Sequence, residues 1–323
     1  MKPNLYTLLY EGELEVNTAK YIFKRILMAL FTIFVAATIT FFLMKLVPGS
    51  PFASEKTNEI AQQALNEKYG LDKPVFEQYK IYLNQLVHGD LGVSYKLQKN
   101  VPVVTIIKQS FPISAKIGCM SIIFALLIGV PLGCISALKR GKWQDNVIRV
   151  VSTFGIAVPS FVIATASMLL FSIELKLLPT YGLDKPSSYI LPVFTLGLYP
   201  TCYISRLVRS SMLDTLGQDY IRTAKAKGMS QSVVTFKHAL RNSLIPVITY
   251  LGPLVAFTLT GGFVVEKVFN IPGLGRYFIK AIDARDYNLI MGTTVFLATF
   301  VIFMNLVCDI LYKLVDPRIK LED

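Results

Sequence analysis

The chain has 323 residues, 53% hydrophobic and only 17% charged, with 33 Lys and Arg against 21 Asp and Glu and a formal net charge of +12. Soluble domains carry about 25% charged residues; here the apolar residues sit in long blocks between short charged stretches, which excludes an ordinary soluble fold. Cys119, Cys134, Cys202 and Cys308 all fall inside apolar blocks, without a CxxC or zinc-ligand spacing, which argues against a disulfide or zinc framework.

A bilayer core of about 30 Å is crossed by roughly 20 apolar residues in a helix. The first such run, 26–44, is uncharged and follows a segment, 1–25, that ends in Lys24 and Arg25. Its apolar length exceeds that of a secretory signal, so it reads as a retained anchor, transmembrane helix 1 over 26–47. Residues 48–115 are too long for a turn and predict an extracytoplasmic subdomain. Pro48-Gly49-Ser50-Pro51 ends the first span, and 55–69 reads as a polar helix stopping at Gly70. Asp72 looks like an N-cap with Pro74 in the first turn. Val75, Phe76, Tyr79, Tyr82, Leu83, Leu86 and Val87 follow at helical spacing up to Gly89. That stripe either packs on its own subdomain or faces the membrane surface or a partner. The turn-rich run Gly89-Asp90-Leu91-Gly92-Val93-Ser94-Tyr95 points to a hairpin.

Five further spans occupy 116–311: 117–138, then 150–173 with Pro159 inside it, a shorter 189–205 with Pro192 and Pro200, then 244–265 and 290–311. A tail, 312–323, follows. The prolines kink spans three and four. Such backbone is tolerated where protein or a wet cavity re-satisfies it, so Pro159 and Ser160 point either to a pathway lining or to a packing kink. Asp309 is the acid inside the last span, and Asn305 shares its helical face. The pair reads as a structural clamp, with Asp309 on Arg206 or Arg241, or as a gate that breaks when helices move. Lys20, Lys24 and Arg25, then Lys139, Arg140, Lys142 and Arg149, then the basic loop 206–243 all fall on one side of six spans. That side is the cytoplasm, which places both termini there.

The loop 206–243 carries Arg206, Arg209, Arg222, Lys225, Lys227, Lys237 and Arg241. The run 219–227 is helix-permissive, Gly228 breaks it, and Ser230 can cap a second helix reaching about Asn242. Two short helices around a glycine bend can transmit force to a soluble partner, with Ala224 and Ala226 small enough to seat in a groove. Equally, a basic loop can rest on anionic lipid.

An intramembrane enzyme needs converging catalytic groups. His88 and His238 lie in different loops, and neither HExxH nor the nucleotide-binding GxxxxGK[ST] occurs, so neither a catalytic nor a metal site is assigned. A channel or secondary transporter would leave the two-helix loop without a role, and the spans show no obvious inverted repeat.

The stretch Gln218-Asp219-Tyr220-Ile221-Arg222-Thr223-Ala224-Lys225-Ala226-Lys227-Gly228, followed by His238-Ala239-Leu240-Arg241-Asn242-Ser243-Leu244-Ile245-Pro246, resembles the cytoplasmic loop of ABC-importer permeases of the dipeptide/oligopeptide family, first permease subunit type. Shorter matches run in order along the chain: Leu46-Val47-Pro48-Gly49-Ser50-Pro51, Gly70-Leu71-Asp72-Lys73-Pro74, Gly89-Asp90-Leu91-Gly92, Gly129-Val130-Pro131-Leu132-Gly133 and Val158-Pro159-Ser160-Phe161. Towards the C-terminus come Gly261-Gly262-Phe263-Val264-Val265-Glu266, Phe269-Asn270-Ile271-Pro272-Gly273-Leu274-Gly275-Arg276, Arg285-Asp286-Tyr287 and Asp316-Pro317-Arg318. The Glu-Ala-Ala often found in the loop of the wider importer class is replaced by Arg222-Thr223-Ala224.

The resemblance implies an all-α integral membrane fold: six transmembrane helices, an extracytoplasmic loop subdomain and a cytoplasmic coupling helix at Asp219, Tyr220, Arg222, Thr223, Ala224, Lys225, Ala226, Lys227 and Gly228. It implies a second homologous permease subunit, two cytoplasmic ATPase subunits, an extracytoplasmic peptide-binding protein and membrane lipid as partners, with no nucleic acid. ATP is used by partner subunits and no cofactor is held by this chain. The implied location is the bacterial inner membrane. Oligopeptide or dipeptide is the implied cargo, with nickel chelate and glutathione as the family's alternatives.

Overall fold

The computed structural model describes the backbone of residues 5–46 and 59–315 and the side chains of residues 23–46 and 63–308. Pro48-Gly49-Ser50-Pro51, Asp316-Pro317-Arg318 and the Asp309 side chain lie outside the described residues. The described backbone is helical almost throughout, and the chain divides into two units, residues 1–104 with 284–323, and residues 105–283.

In chain order the helices are α1 (Leu5–Leu46), α2 (Glu59–Lys68), α3 (Val75–Val87), α4 (Val103–Leu138), α5 (Trp143–Ala157) and α6 (Ser160–Met168), which a π-helical turn extends over Leu169–Glu174. Then come α7 (Ile190–Leu216), α8 (Asp219–Ala226), α9 (Gln231–Val233), a π-helical stretch Val234–Leu240, and α10 (Arg241–Ser243). The last four are α11 (Ile245–Leu259), α12 (Phe263–Val268), α13 (Leu274–Ala284) and α14 (Tyr287–Val315). Phe23–Leu46, Val103–Leu138, Ile245–Val268 and Tyr287–Cys308 are long and apolar enough to cross a membrane. A fifth crossing is available if Trp143–Ala157 and Ser160–Glu174 form one span, although they meet at 103°.

Pro159 was expected to kink the third span and instead breaks it. Val158 and Pro159 take extended ψ values of 125° and 141°, so the helical bonds stop and restart across them. Pro192, expected to kink the fourth span, sits in the first turn of α7, where its missing donor has no helical partner to lose. Pro200 alone lies in that helix's interior. The fourth expected crossing falls within α7, which is less apolar because protein surrounds it: thirteen of its residues are buried, among them Thr195, Gly197, Thr201 and Ser205.

In the first unit, α3 buries Tyr82 and sets Tyr79, Leu83 and Leu86 in one cluster with Ala37 and Phe41 of α1 and Met291 and Val295 of α14. The stripe therefore packs on helices that span, while Val75, Phe76 and Val87 stay exposed. Pro74, not Asp72, occupies the N-cap. Gly89 ends the helix as expected: at φ +73° its amide bonds Leu86 O while the Asp90 amide bonds Gln85 O, a Schellman closure. The expected hairpin shrinks to one isolated bridge, Val93 with Pro102. A fully buried carboxylate, Asp286, takes the backbone donors a strand would have used: the amides of Tyr95 at 3.0 Å, Lys96 at 3.0 Å and Leu97 at 3.2 Å. It also accepts the Ser94 hydroxyl at 2.5 Å and caps α14 through the Leu289 amide.

In the second unit, α4, expected to be a span from 117, already begins at Val103. It meets α7 almost backbone to backbone: a Cβ on Gly129 would lie 2.7 Å from Thr201 O, and one on Gly133 would lie 2.6 Å from Ser205 O. Such spacing of small residues lets helices approach in lipid, where packing replaces the hydrophobic effect. Beyond α11 the chain turns at Gly261, and the buried Glu266 carboxylate accepts the Arg276 amide at 3.1 Å, holding the start of α13. Ser114 Oγ takes the Leu274 amide at 2.8 Å on the same side.

Candidate functional site

The segment singled out in the sequence is a discrete helix, α8, that follows α7 after Gly217 and Gln218. Ile221 and Ala224, three residues apart, are 0% and 5% exposed and belong to one apolar cluster with Met212, Val234 and Ala239. Asp219, Tyr220, Arg222, Thr223, Lys225, Ala226 and Lys227 remain exposed. Ala224, read from sequence as a groove-seating residue, thus faces the apolar cluster of its own chain. Ala226 keeps an outward position. Asn242 Nδ2 donates to Tyr220 Oη at 2.8 Å and ties the first helix to the second.

Gly228 has φ +74° and open space around it. The Gly228 amide bonds Lys225 O at 3.0 Å and the Met229 amide bonds Ala224 O at 3.3 Å, another Schellman closure that needs a left-handed residue. Ser230 then caps the second helix by accepting the Val233 amide. That second helix does not stop near Asn242 as expected. It proceeds through the π-helical stretch and α10 to α11, with one turn residue at Leu244, so the two-helix loop leads straight into the fifth span.

Of the expected pathway residues, the structure places Pro159 and Ser160 on the wall of a cavity of about 620 Å³. Pro200 of α7 and Pro253 of α11 share that wall with Tyr199, Tyr250 and Thr195. Among the described residues lining it, none is Asp, Glu, Lys or Arg. The Thr195 hydroxyl is buried without a hydrogen-bond partner. Asn305 lies half-buried on α14 in the other unit.

Sequence reasoning missed one ionic cluster. Asp145, in the first turn of α5 and 1% exposed, receives Arg209 of α7 bidentately, Nε on Oδ1 at 2.7 Å and Nη2 on Oδ2 at 2.9 Å. Ser136 Oγ at 2.6 Å and the Gly141 amide at 2.9 Å complete both oxygens. In the sequence Arg209 reads only as one of the basic residues that set topology. An acid in an otherwise basic stretch between two spans was the available signal.

Two family descriptions cover most of the chain. "Binding-protein-dependent transport system inner membrane component" matches residues 129–321, and its N-terminal counterpart matches residues 18–118. The chain is 46% identical over 305 residues to the "Dipeptide transport system permease protein DppB" of Bacillus subtilis, covering 94% of this chain and 99% of that one. It is 42% identical to the "Oligopeptide transport system permease protein OppB" of Haemophilus influenzae, over 93% of this chain and 99% of that one. Among solved structures, a chain of the inward-facing MetNI methionine ABC transporter aligns with TM-score 0.54 at 16% identity, covering 66% of this chain and 97% of that one. At that identity the likeness concerns the fold.

Proposed function

Because the chain belongs to the family of inner-membrane components of binding-protein-dependent transport systems, we propose that it is the permease subunit of an ATP-driven peptide importer and forms half of the translocation pathway. The cargo assignment rests on relatives named for dipeptide and oligopeptide transport. Its partners are a second permease, two cytoplasmic ATPases and an extracytoplasmic peptide-binding protein. It sits in the bacterial inner membrane with both termini in the cytoplasm, and ATP is hydrolysed by the partners.

The observation that carries the mechanism is the seating of α8. Ile221 and Ala224 anchor it to the chain's own core while Tyr220, Thr223, Lys225 and Lys227 face outward, with exposed Met229 and Phe236 on the segment that follows. A mixed apolar and basic face of that kind suits a groove with an acidic rim on an ATPase. Closure of the ATPases on ATP moves α8, and the movement opens a pathway lined by Pro159 and Ser160. The uncharged cavity wall there fits a passage that accepts varied side chains and leaves selection to the binding protein. Asn305 and Asp309, four residues apart towards the cytoplasmic end of the last span, are assigned to gating.

The test is reconstitution of the four-part importer in vesicles with the binding protein. ATP-dependent accumulation of a labelled tripeptide is expected, and it should vanish with Ala226→Arg, which places a long cation on the docking face. Accumulation without ATP, or an importer indifferent to the variant, would refute the assignment.

A further inference from the structure

The Asp145 cluster lies where motion of α8 would have to pass. Arg209 sits about two turns before the end of α7, which leads directly into α8. Asp145 opens α5, and about 18 Å further along its axis α5 ends at the Val158 and Pro159 break. Four donors saturate the carboxylate from three elements: the end of α4, the turn after it, and α7. A buried ion pair adds little net stability over an apolar contact of the same size, but the bidentate fork of Arg209 on Asp145 adds geometric specificity. Its use here is therefore to fix α5 to α7 in a single register. Gly155 carries the tie to the far end of α5, since a Cβ there would lie 3.5 Å from Cys202 Cβ of α7.

We propose that Asp145 and Arg209 are positioning residues, the joint that makes α5 and α7 move as one body. A push on α8 then reaches the cavity wall at Pro159 and is not lost as sliding between helices. This rests on the coupling role proposed above for α8.

The experiment measures labelled trialanine accumulated per ATP hydrolysed by the complete importer in vesicles, together with the amount of this chain in the membrane. Lack of ATP-dependent uptake in the wild type refutes the importer reading itself, whatever the joint does. With wild-type uptake established, Asp145→Asn is expected to lower uptake per ATP about tenfold, with hydrolysis within about twofold of wild type and membrane amount preserved. If Asp145→Asn does not accumulate, Arg209→Lys, which keeps the charge but loses the fork, is judged by the same ratio. An unchanged ratio overturns the joint, and so does a ratio that falls only in step with membrane amount. A rescue separates rigidity from folding. In the Asp145→Asn background, Gly155→Cys oxidised onto the native Cys202, whose Cβ spacing suits a disulfide, should restore the ratio, and reduction should abolish it again. A formed bridge with no recovery also overturns the proposal.

Discussion

Asp286 carries more of the first unit than its single charge suggests. Its carboxylate replaces a strand partner for three consecutive amides and caps a membrane helix at the same time. Asp286→Ala would remove the carboxylate acceptor shared by those three amides and the Ser94 hydroxyl, a loss on the order of 3 kcal/mol or more. Thermal unfolding of the detergent-purified protein should show it, with Asp286→Asn intermediate because one oxygen remains an acceptor. Tyr82 is the converse case. Its hydroxyl is buried without a hydrogen-bond partner, and burial, helped by the neighbouring Tyr79, pushes its pKa up from 10.0 to about 12. A raised folded-state pKa gives a contribution that is complete below the unfolded value of about 10 and is lost as pH rises towards the folded value. Stability should therefore hold at neutral pH and fall between pH 10 and about 12. Tyr82→Phe should remove that part of the alkaline loss and, by deleting an unpaired buried hydroxyl, raise neutral-pH stability by about 1 kcal/mol. A melting series across pH on both proteins checks both signs.

At the level of elements, close approach does the organising. Gly129 and Gly133 of α4 face Thr201 and Ser205 of α7, and Gly155 of α5 faces Cys202. A valine at Gly133 would drive its Cβ into Ser205 O and the Val208 side chain, whose nearest atoms stand at 2.6 Å, so the helices must part. Overpacking of that kind costs about 1–3 kcal/mol, and Gly133→Val should lower the melting temperature and weaken uptake together. The segment proposed to couple to the ATPases depends on a different contact. Ile221 is fully buried and is the large anchor that α8 contributes. Ile221→Ala should cost about 2–5 kcal/mol locally, which exceeds what a helix of eight residues can supply alone. Limited proteolysis should then cut around Gly228, and ATPase co-purification should drop while the membrane amount persists.

For the molecule as a whole, what was legible in the sequence followed from locality. The stops at Gly89 and Gly228 and the cap at Ser230 are decided within a few residues, and each appears where the residues indicated it; the apolar runs become helices, but 117–138 starts back at Val103 and 150–173 breaks at Pro159. What was not legible depends on partners far apart in the chain: Ser94 with Asp286, 192 residues away, and Asp145 with Arg209, 64 residues away. The bend of 103° at Pro159 was visible as a proline but not as a break, because the missing bond does not dictate how far the chain turns. The fourth span was the hardest to read for a related reason. A helix enclosed by protein can carry Thr, Ser and Gly inward, so its composition falls below that of a lipid-facing span. Its crossing is tested by the two loops that flank α7. Lys185 and Lys225 are both exposed, one before α7 and one after it. In a background with the exposed Cys119 replaced by serine, Lys185→Cys should react with a membrane-impermeant maleimide on intact cells, and Lys225→Cys only after permeabilisation. Labelling of both from one side would mean that α7 does not cross. With Lys225 then outside, α8 could not meet a cytoplasmic ATPase, and the coupling role would fall with the topology.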